Sequence, residues 1–170
     1  MSWKDSVSTA GTPQRRPSHM AENEILALID STPYAVLSTA DAAGKPYGVP
    51  VTVCRVGRRF YFHGTAVPES RKAKNLAANP WGSLVWVGPN RIVEDAFTVE
   101  FLCAMASGPV SLVADRASIE EFLKAVRAQR APSVSEEQFA QYLAKQKAWP
   151  KVWRLDAEEI TGRRKTPGVF

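Results

Sequence analysis

Apolar positions along the chain change period several times, and each change suggests an element. Over residues 21–30, Ile25, Leu26 and Ile29 recur at helical spacing, and Asp30-Ser31-Thr32-Pro33 ends the run. That stripe is expected to pack on a sheet or barrel. Residues 34–40 read as a strand, and residues 41–44 as a hairpin loop in which Gly44 is free to take positive φ. Residues 45–55 form a second strand, where Val49, Val51 and Val53 alternate with Pro50, Thr52 and Cys54. A tight Gly57-Arg58 turn leads to a third strand, 59–63, with Phe60 and Phe62 on one face and Tyr61 and His63 on the other. A helix over 70–79 follows, capped by Ser70 and stopped at Asn79-Pro80. Residues 81–87 read as a fourth strand buried on both faces, and 88–95 as a loop. A fifth strand spans 96–106, and a sixth, 110–113, comes after a break at Ser107-Gly108-Pro109. Helices are expected over 115–127, with Ile119, Phe122, Leu123 and Val126 on the apolar stripe, and from a Ser135/Gln138 capping box to about 147. Residues 151–155 are expected as the final strand. Antiparallel strands in near-continuous succession, with a helix between the third and fourth, favour a mainly-β chain with flanking helices, folded as a small closed or partly closed barrel.

Composition narrows this picture. The 170 residues, 45% of them hydrophobic, suit one domain over 20–170, with helical additions at about 115–147 and a basic C-terminal tail. Residues 1–19 are polar and aperiodic, with Arg15 and Arg16 between Pro13 and Pro17, and read as a flexible arm. Its arginines suit a solvated tail better than a nucleic-acid hook. Lys and Arg number 22 against 17 Asp and Glu, a net charge of +5, which suits an anionic cofactor as well as nucleic acid. A barrel that binds oligonucleotides should interleave exposed aromatics with basic residues along its strands. Here Phe60 and Phe62 look core-facing and only Tyr61 looks free, so no nucleic-acid partner is expected. No apolar run is long enough to span a bilayer, and the N-terminus lacks the apolar centre of a signal peptide. Cys54 and Cys103 lie in strands without CxxC spacing and read as buried free thiols rather than a disulfide. A cytoplasmic location without membrane contact is the expectation.

The chemistry-bearing residues are few. There is no HExxH, no metal-spaced Cys/His cluster, no GxSxG and no Walker-type loop, so no metal is expected. His19 falls in the expected arm. His63 ends a strand beside Gly64, and reads either as a histidine bonded to backbone or as a ligand-facing group. With so few acid–base candidates, an enzyme of this sequence would draw its reactivity from a cofactor. Two features point to one. Pro50 removes a ladder N–H, so its strand must be an edge or bulged, and something other than a strand can lie against it. Arg71, Lys72 and Lys74 crowd the first turn of a helix, where the dipole is already positive. A solvated basic face would account for them. An anion bound by Ser70, Arg71, Lys72 and the free amides would account for them and for the loop before them.

The segments YAVLSTADAAGKPYGVPVTV, RFYFHG and SRKAKNLAANP, in that order, with EEITGRRK near the end, resemble the FMN-binding split-barrel proteins related to pyridoxamine 5′-phosphate oxidase, most closely the 5-nitroimidazole-resistance-like branch. The resemblance covers about residues 25–165. It implies a six-stranded antiparallel split barrel of Greek-key type, a homodimer, and FMN at the subunit interface. By resemblance, Val49, Pro50, Val51 and Thr52 would lie along the flavin ring, His63 and Gly64 near the ribityl chain or ring, and Ser70, Arg71 and Lys72 at the phosphate. Cys103 and Ala104 of the partner subunit would fall where the oxidases carry polar flavin contacts. Those oxidases also carry a lysine at the position of Thr52 and an arginine–histidine pair near the C-terminus, neither of which is present, so vitamin B6 oxidation is disfavoured. The implied activity is reduction of a small electron acceptor such as a nitro compound, with a nicotinamide or other reductant and with His63 as the catalytic candidate. An oxidase-like reaction, or flavin or haem binding without turnover, is the alternative.

Overall fold

A computed structural model describes residues 17–64, 70–145 and 150–165. The elements in chain order are β1 (Ser18–His19), α1 (Glu22–Ser31), β2 (Tyr34–Ala40), β3 (Pro46–Val56), β4 (Arg59–Gly64), α2 (Arg71–Ala78), β5 (Trp81–Val93), β6 (Thr98–Leu112), α3 (Arg116–Arg130), α4 (Glu136–Lys145), β7 (Lys151–Asp156) and β8 (Glu159–Lys165). The strands β6-β5-β2-β3-β4-β7 are neighbours in that order, and β7 pairs back onto β6, so six strands close a ring. β8 and β1 continue the sheet outside it. Three strands joined by hairpins, with the next strand returning beside the first, make the Greek key. The mainly-β split barrel with flanking helices is therefore as expected.

Two long strands change partner midway, and this splits the barrel. β3 pairs with β2 as far as Thr52, and with β4 only from Val53. β6 pairs with β5 and β8 up to residues 107–109, and with β7 from Val110. Leu37, Phe60, Phe62, Leu84, Trp86 and Leu155 fill the interior, with the Phe60 and Trp86 rings 5.4 Å apart. Burying each such side chain contributes about 1.5–3 kcal/mol. A second core lies outside the ring, where Ile119, Phe122 and Leu123 of α3 cover Cys54, Tyr61 and Val152. α3 also closes the outer edge of β3. Gln129 accepts from the Arg55 N–H at 3.0 Å and donates to its carbonyl at 2.7 Å, as a neighbouring strand would.

The structure corrects several sequence expectations. Residues 88–93 are strand rather than loop, because β5 resumes pairing with β6 beyond a bulge at residues 88–89. The Arg91–Glu100 ion pair, 2.7 Å, pins that extension. Residues 98–112 are one strand, not two. The Gly108-Pro109 signal is the partner switch: a Cβ on Gly108 would stand 2.1 Å from the Asp156 carbonyl oxygen. Lys151–Asp156 is not the last strand, since β8 follows, its basic sequence hiding its pairing with β6. Ser18 and His19, assigned to the arm, pair with Arg164 and Arg163. The rest of that arm, residues 1–16, and the end of the basic tail, residues 166–170, lie outside the described residues. Tyr61 is fully buried beneath α3 rather than free, and its hydroxyl donates to Glu121 at 2.9 Å. The Ser135/Gln138 capping box forms as expected. Among the described residues, no helix is long and apolar enough to cross a membrane.

Candidate functional site

The partner switch of β3 opens the site. Val53 pairs with Phe62, but the next step outward would pair Thr52 with His63, and the strands have already parted. From Pro46 to Thr52, β3 is bonded to β2 alone among the described residues, none of which forms a strand on its other edge. This is the free edge that Pro50 required. A cleft of about 490 Å³ fills the gap, lined by Val49, Pro50, Val51 and Thr52 on one side and by His63, Gly64, Ser70 and Lys72 on the other. Four consecutive residues can line one cleft only along a strand edge, since successive side chains leave on opposite faces.

The cationic end of the cleft is built by α2. Ser70 is its N-cap, the hydroxyl oxygen accepting from the Ala73 N–H at 3.3 Å, so the hydroxyl proton is left to donate. The first-turn amides of Arg71 and Lys72 have no intrahelical acceptor. Among the described residues, none of the ion pairs involves Arg71, Lys72 or Lys74. Two of these cations rest on aromatic faces instead. The Arg71 guanidinium lies over the Tyr47 ring at 4.8 Å, and the Lys72 ammonium over Trp153 at 5.2 Å and Phe62 at 5.7 Å. Lys72 also donates to the His63 carbonyl at 3.3 Å. Burial against these rings lowers its pKa, because the charged form is the one that loses hydration. Gly64 makes room for this packing: a Cβ there would meet Trp153 at 2.6 Å and the Lys72 ammonium at 3.1 Å.

His63 lines the cleft, and its ring lies 6.1 Å from that of Phe122 on α3. Arg71 stands beside the cleft through its contact with Tyr47, which does line it. Cys103 and Ala104 are not brought to the cleft of their own chain, since β5 and β2 lie between β6 and β3. Ala104 is fully buried and offers no side-chain surface; Cys103 is half-buried on the opposite face, between Val87 and Arg163. Both cysteines are free, and burial pushes the Cys54 thiol up. Sequence reasoning missed Tyr34 and Tyr47 as lining residues. Tyr47 shares the parity of Val49 and Val51 on β3, which was the available signal.

The outer face of the same sheet is apolar and open, with Tyr34 63%, Val36 41% and Val87 60% exposed. A groove of about 320 Å³ crosses it, lined by Val36, Val85 and Val87 together with Tyr34 and Pro50 of the cleft. Cleft and face are therefore continuous. Among the described residues, no group of three or more His, Cys, Asp or Glu side chains could hold a metal ion.

A family model described as pyridoxamine 5′-phosphate oxidase matches residues 21–164. No curated protein sequence matches the chain. Among solved structures, a candidate 5-nitroimidazole antibiotic resistance protein of Bacteroides thetaiotaomicron is 19% identical, with a TM-score of 0.68 over 87% of both chains. A conserved hypothetical protein of Mycobacterium tuberculosis is 17% identical, with a TM-score of 0.69 over 94% of this chain and 96% of the other. An FAD- and haem-binding protein of Mycobacterium smegmatis is 15% identical, with a TM-score of 0.64 over 91% and 75%. At these identities the likeness is one of fold.

Proposed function

The chain belongs to the pyridoxamine 5′-phosphate oxidase-like split-barrel family, and we propose that it is an FMN-binding oxidoreductase working as a homodimer. The observation that carries this reading is the cleft itself, with a free strand edge at one end and, at the other, two cations held on aromatic rings without a carboxylate among the described residues. A planar, hydrogen-bonding ring suits the first, and a phosphomonoester the second. The residues present fit the group: the parted strands supply room, and Ser70, Arg71, Lys72 and the α2 amides supply donors. Bound flavin supplies hydride or one-electron transfer. Arg71 and Lys72 would hold the phosphate, the backbone of 49–52 would bind the ring, and His63 would be the side chain offered to the acceptor. The exposed sheet face that runs into the cleft through Tyr34 and Pro50 supports a second copy as its cover, with half-buried Cys103, rather than buried Ala104, able to present a side chain from the partner.

The proposed acceptor is a small electrophile of the nitro type, with a nicotinamide or other reductant as electron source. Thr52, where the B6 oxidases carry lysine, weighs against pyridoxamine phosphate as substrate. A flavin or haem carrier without turnover is the second reading, favoured by the FAD- and haem-binding neighbour and by the scarcity of acid–base groups in the cleft.

Titration with FMN tests the central reading. Flavin fluorescence should be quenched at micromolar protein, and failure to bind at that concentration overturns it. Replacing Arg71 and Lys72 by Ala should weaken FMN far more than riboflavin, since charge-assisted contacts contribute about 1.5–3 kcal/mol each. Equal weakening would move the phosphate elsewhere. Anaerobic reoxidation of the reduced protein by nitroimidazole, quinone or pyridoxine phosphate separates enzyme from carrier.

A further inference from the structure

Arg71 is exposed at the start of α2, and a long charged side chain there has many rotamers. One direct contact, and the anchoring of its own helix, restrict it. Asn75, one helical turn on and on the same face as Arg71, is buried and donates to the Thr39 hydroxyl of β2 at 3.0 Å. Thr39 lies directly opposite Tyr47 in the β2–β3 ladder. The Tyr47 ring in turn holds the Arg71 guanidinium at 4.8 Å. The circuit α2–β2–β3–α2 is closed: the buried amide fixes the roll of the helix, and the ring takes up the cation that the roll presents.

We infer that Tyr47 is a positioning residue that pre-orients Arg71 for the phosphomonoester end of the cleft, an assignment that rests on the flavin reading above. Contact with a ring face uses none of the guanidinium's hydrogen bonds to oxygen and leaves N–H donors for a phosphate, which arginine binds in a bidentate fashion. Orienting the group before the ligand arrives removes part of the ordering cost of binding. The ring needs only its π face for this, so the Tyr47 hydroxyl is dispensable.

The test is the ratio of FMN to riboflavin affinity, measured by flavin fluorescence for the full chain and for Tyr47→Phe, Tyr47→Leu, Arg71→Gln and the Tyr47→Leu/Arg71→Gln double variant. Because Tyr47 also lines the cleft, a merely structural role would weaken both flavins equally and leave the ratio unmoved. Tyr47→Leu is expected to lower the ratio about fivefold, the size of a partly exposed cation–π contact. Tyr47→Phe should keep it, and in the Arg71→Gln background Tyr47→Leu should change it no further. An unmoved ratio in Tyr47→Leu, or an equal fall with and without Arg71, overturns the inference while leaving the flavin site standing. A parent protein that binds FMN no tighter than riboflavin overturns the phosphate assignment itself.

Discussion

Lys72 is the residue where burial and charge conflict most openly. Its ammonium is half-buried among Trp153, Phe62 and the His63 carbonyl, and burial lowers its pKa from the ordinary 10.5. Folding thus makes the charged form costlier than it is in the unfolded chain. Stability linked to this group is present above the unfolded value and is lost as pH falls through the lowered folded value. Ligand binding runs the other way, because only the protonated form attracts phosphate. The FMN-to-riboflavin affinity ratio should therefore decline as pH rises toward the ordinary lysine value, beginning below it. Lys72→Arg, which stays charged throughout, should flatten that decline; a parallel decline in the Arg variant would assign the titration to another group. The cations themselves were readable as Ser70-Arg71-Lys72. Their aromatic seats were not, since Tyr47 and Trp153 stand 24 and 81 positions away from Arg71 and Lys72 (71 − 47 and 153 − 72).

α2 shows how a short, mostly polar helix is held in place. It has eight residues and buries only Asn75 and Leu76. The Asn75–Thr39 hydrogen bond is thus a large share of its anchoring. Asn75→Ala should cost about 1–3 kcal/mol in urea unfolding, because the Thr39 hydroxyl is left buried without that partner. Replacing both, as Thr39→Val with Asn75→Leu, should recover most of the loss, since no unpaired polar atom remains; failure to recover would place the cost in packing. Element boundaries followed local chemistry wherever a cap or turn set them, as at Ser70, Asp115 and Gly44, whose φ is 80°. They departed from it where a neighbour decided. Gly88-Pro89 and Gly108-Pro109 look alike as breakers, yet both lie within strands because β6 pairs across each of them.

For the molecule as a whole, the prediction concerns the open sheet face. Val36, Val87 and Val99 are all more than 40% exposed on neighbouring strands, an apolar surface of the kind that marks interaction sites. Sedimentation should give a dimer. Val87→Asp should give a monomer with weakened FMN, because Tyr34 and Pro50 belong to both the face and the cleft. A parent chain that sediments as a monomer while binding FMN fully would remove the second copy from the site.

Local sequence settled the class of fold, most elements from α1 to α4, the strand edge of the cleft and the cations at the start of α2. Period, proline, glycine and capping residues act on the backbone within a few positions, so their effects are written where they occur. Partner switching in β3 and β6, the eighth strand, the burial of Tyr61 and the seats of Arg71 and Lys72 came from tertiary structure alone. Each depends on which distant segment arrives at an edge or face, and a chain's own periodicity carries no record of that neighbour.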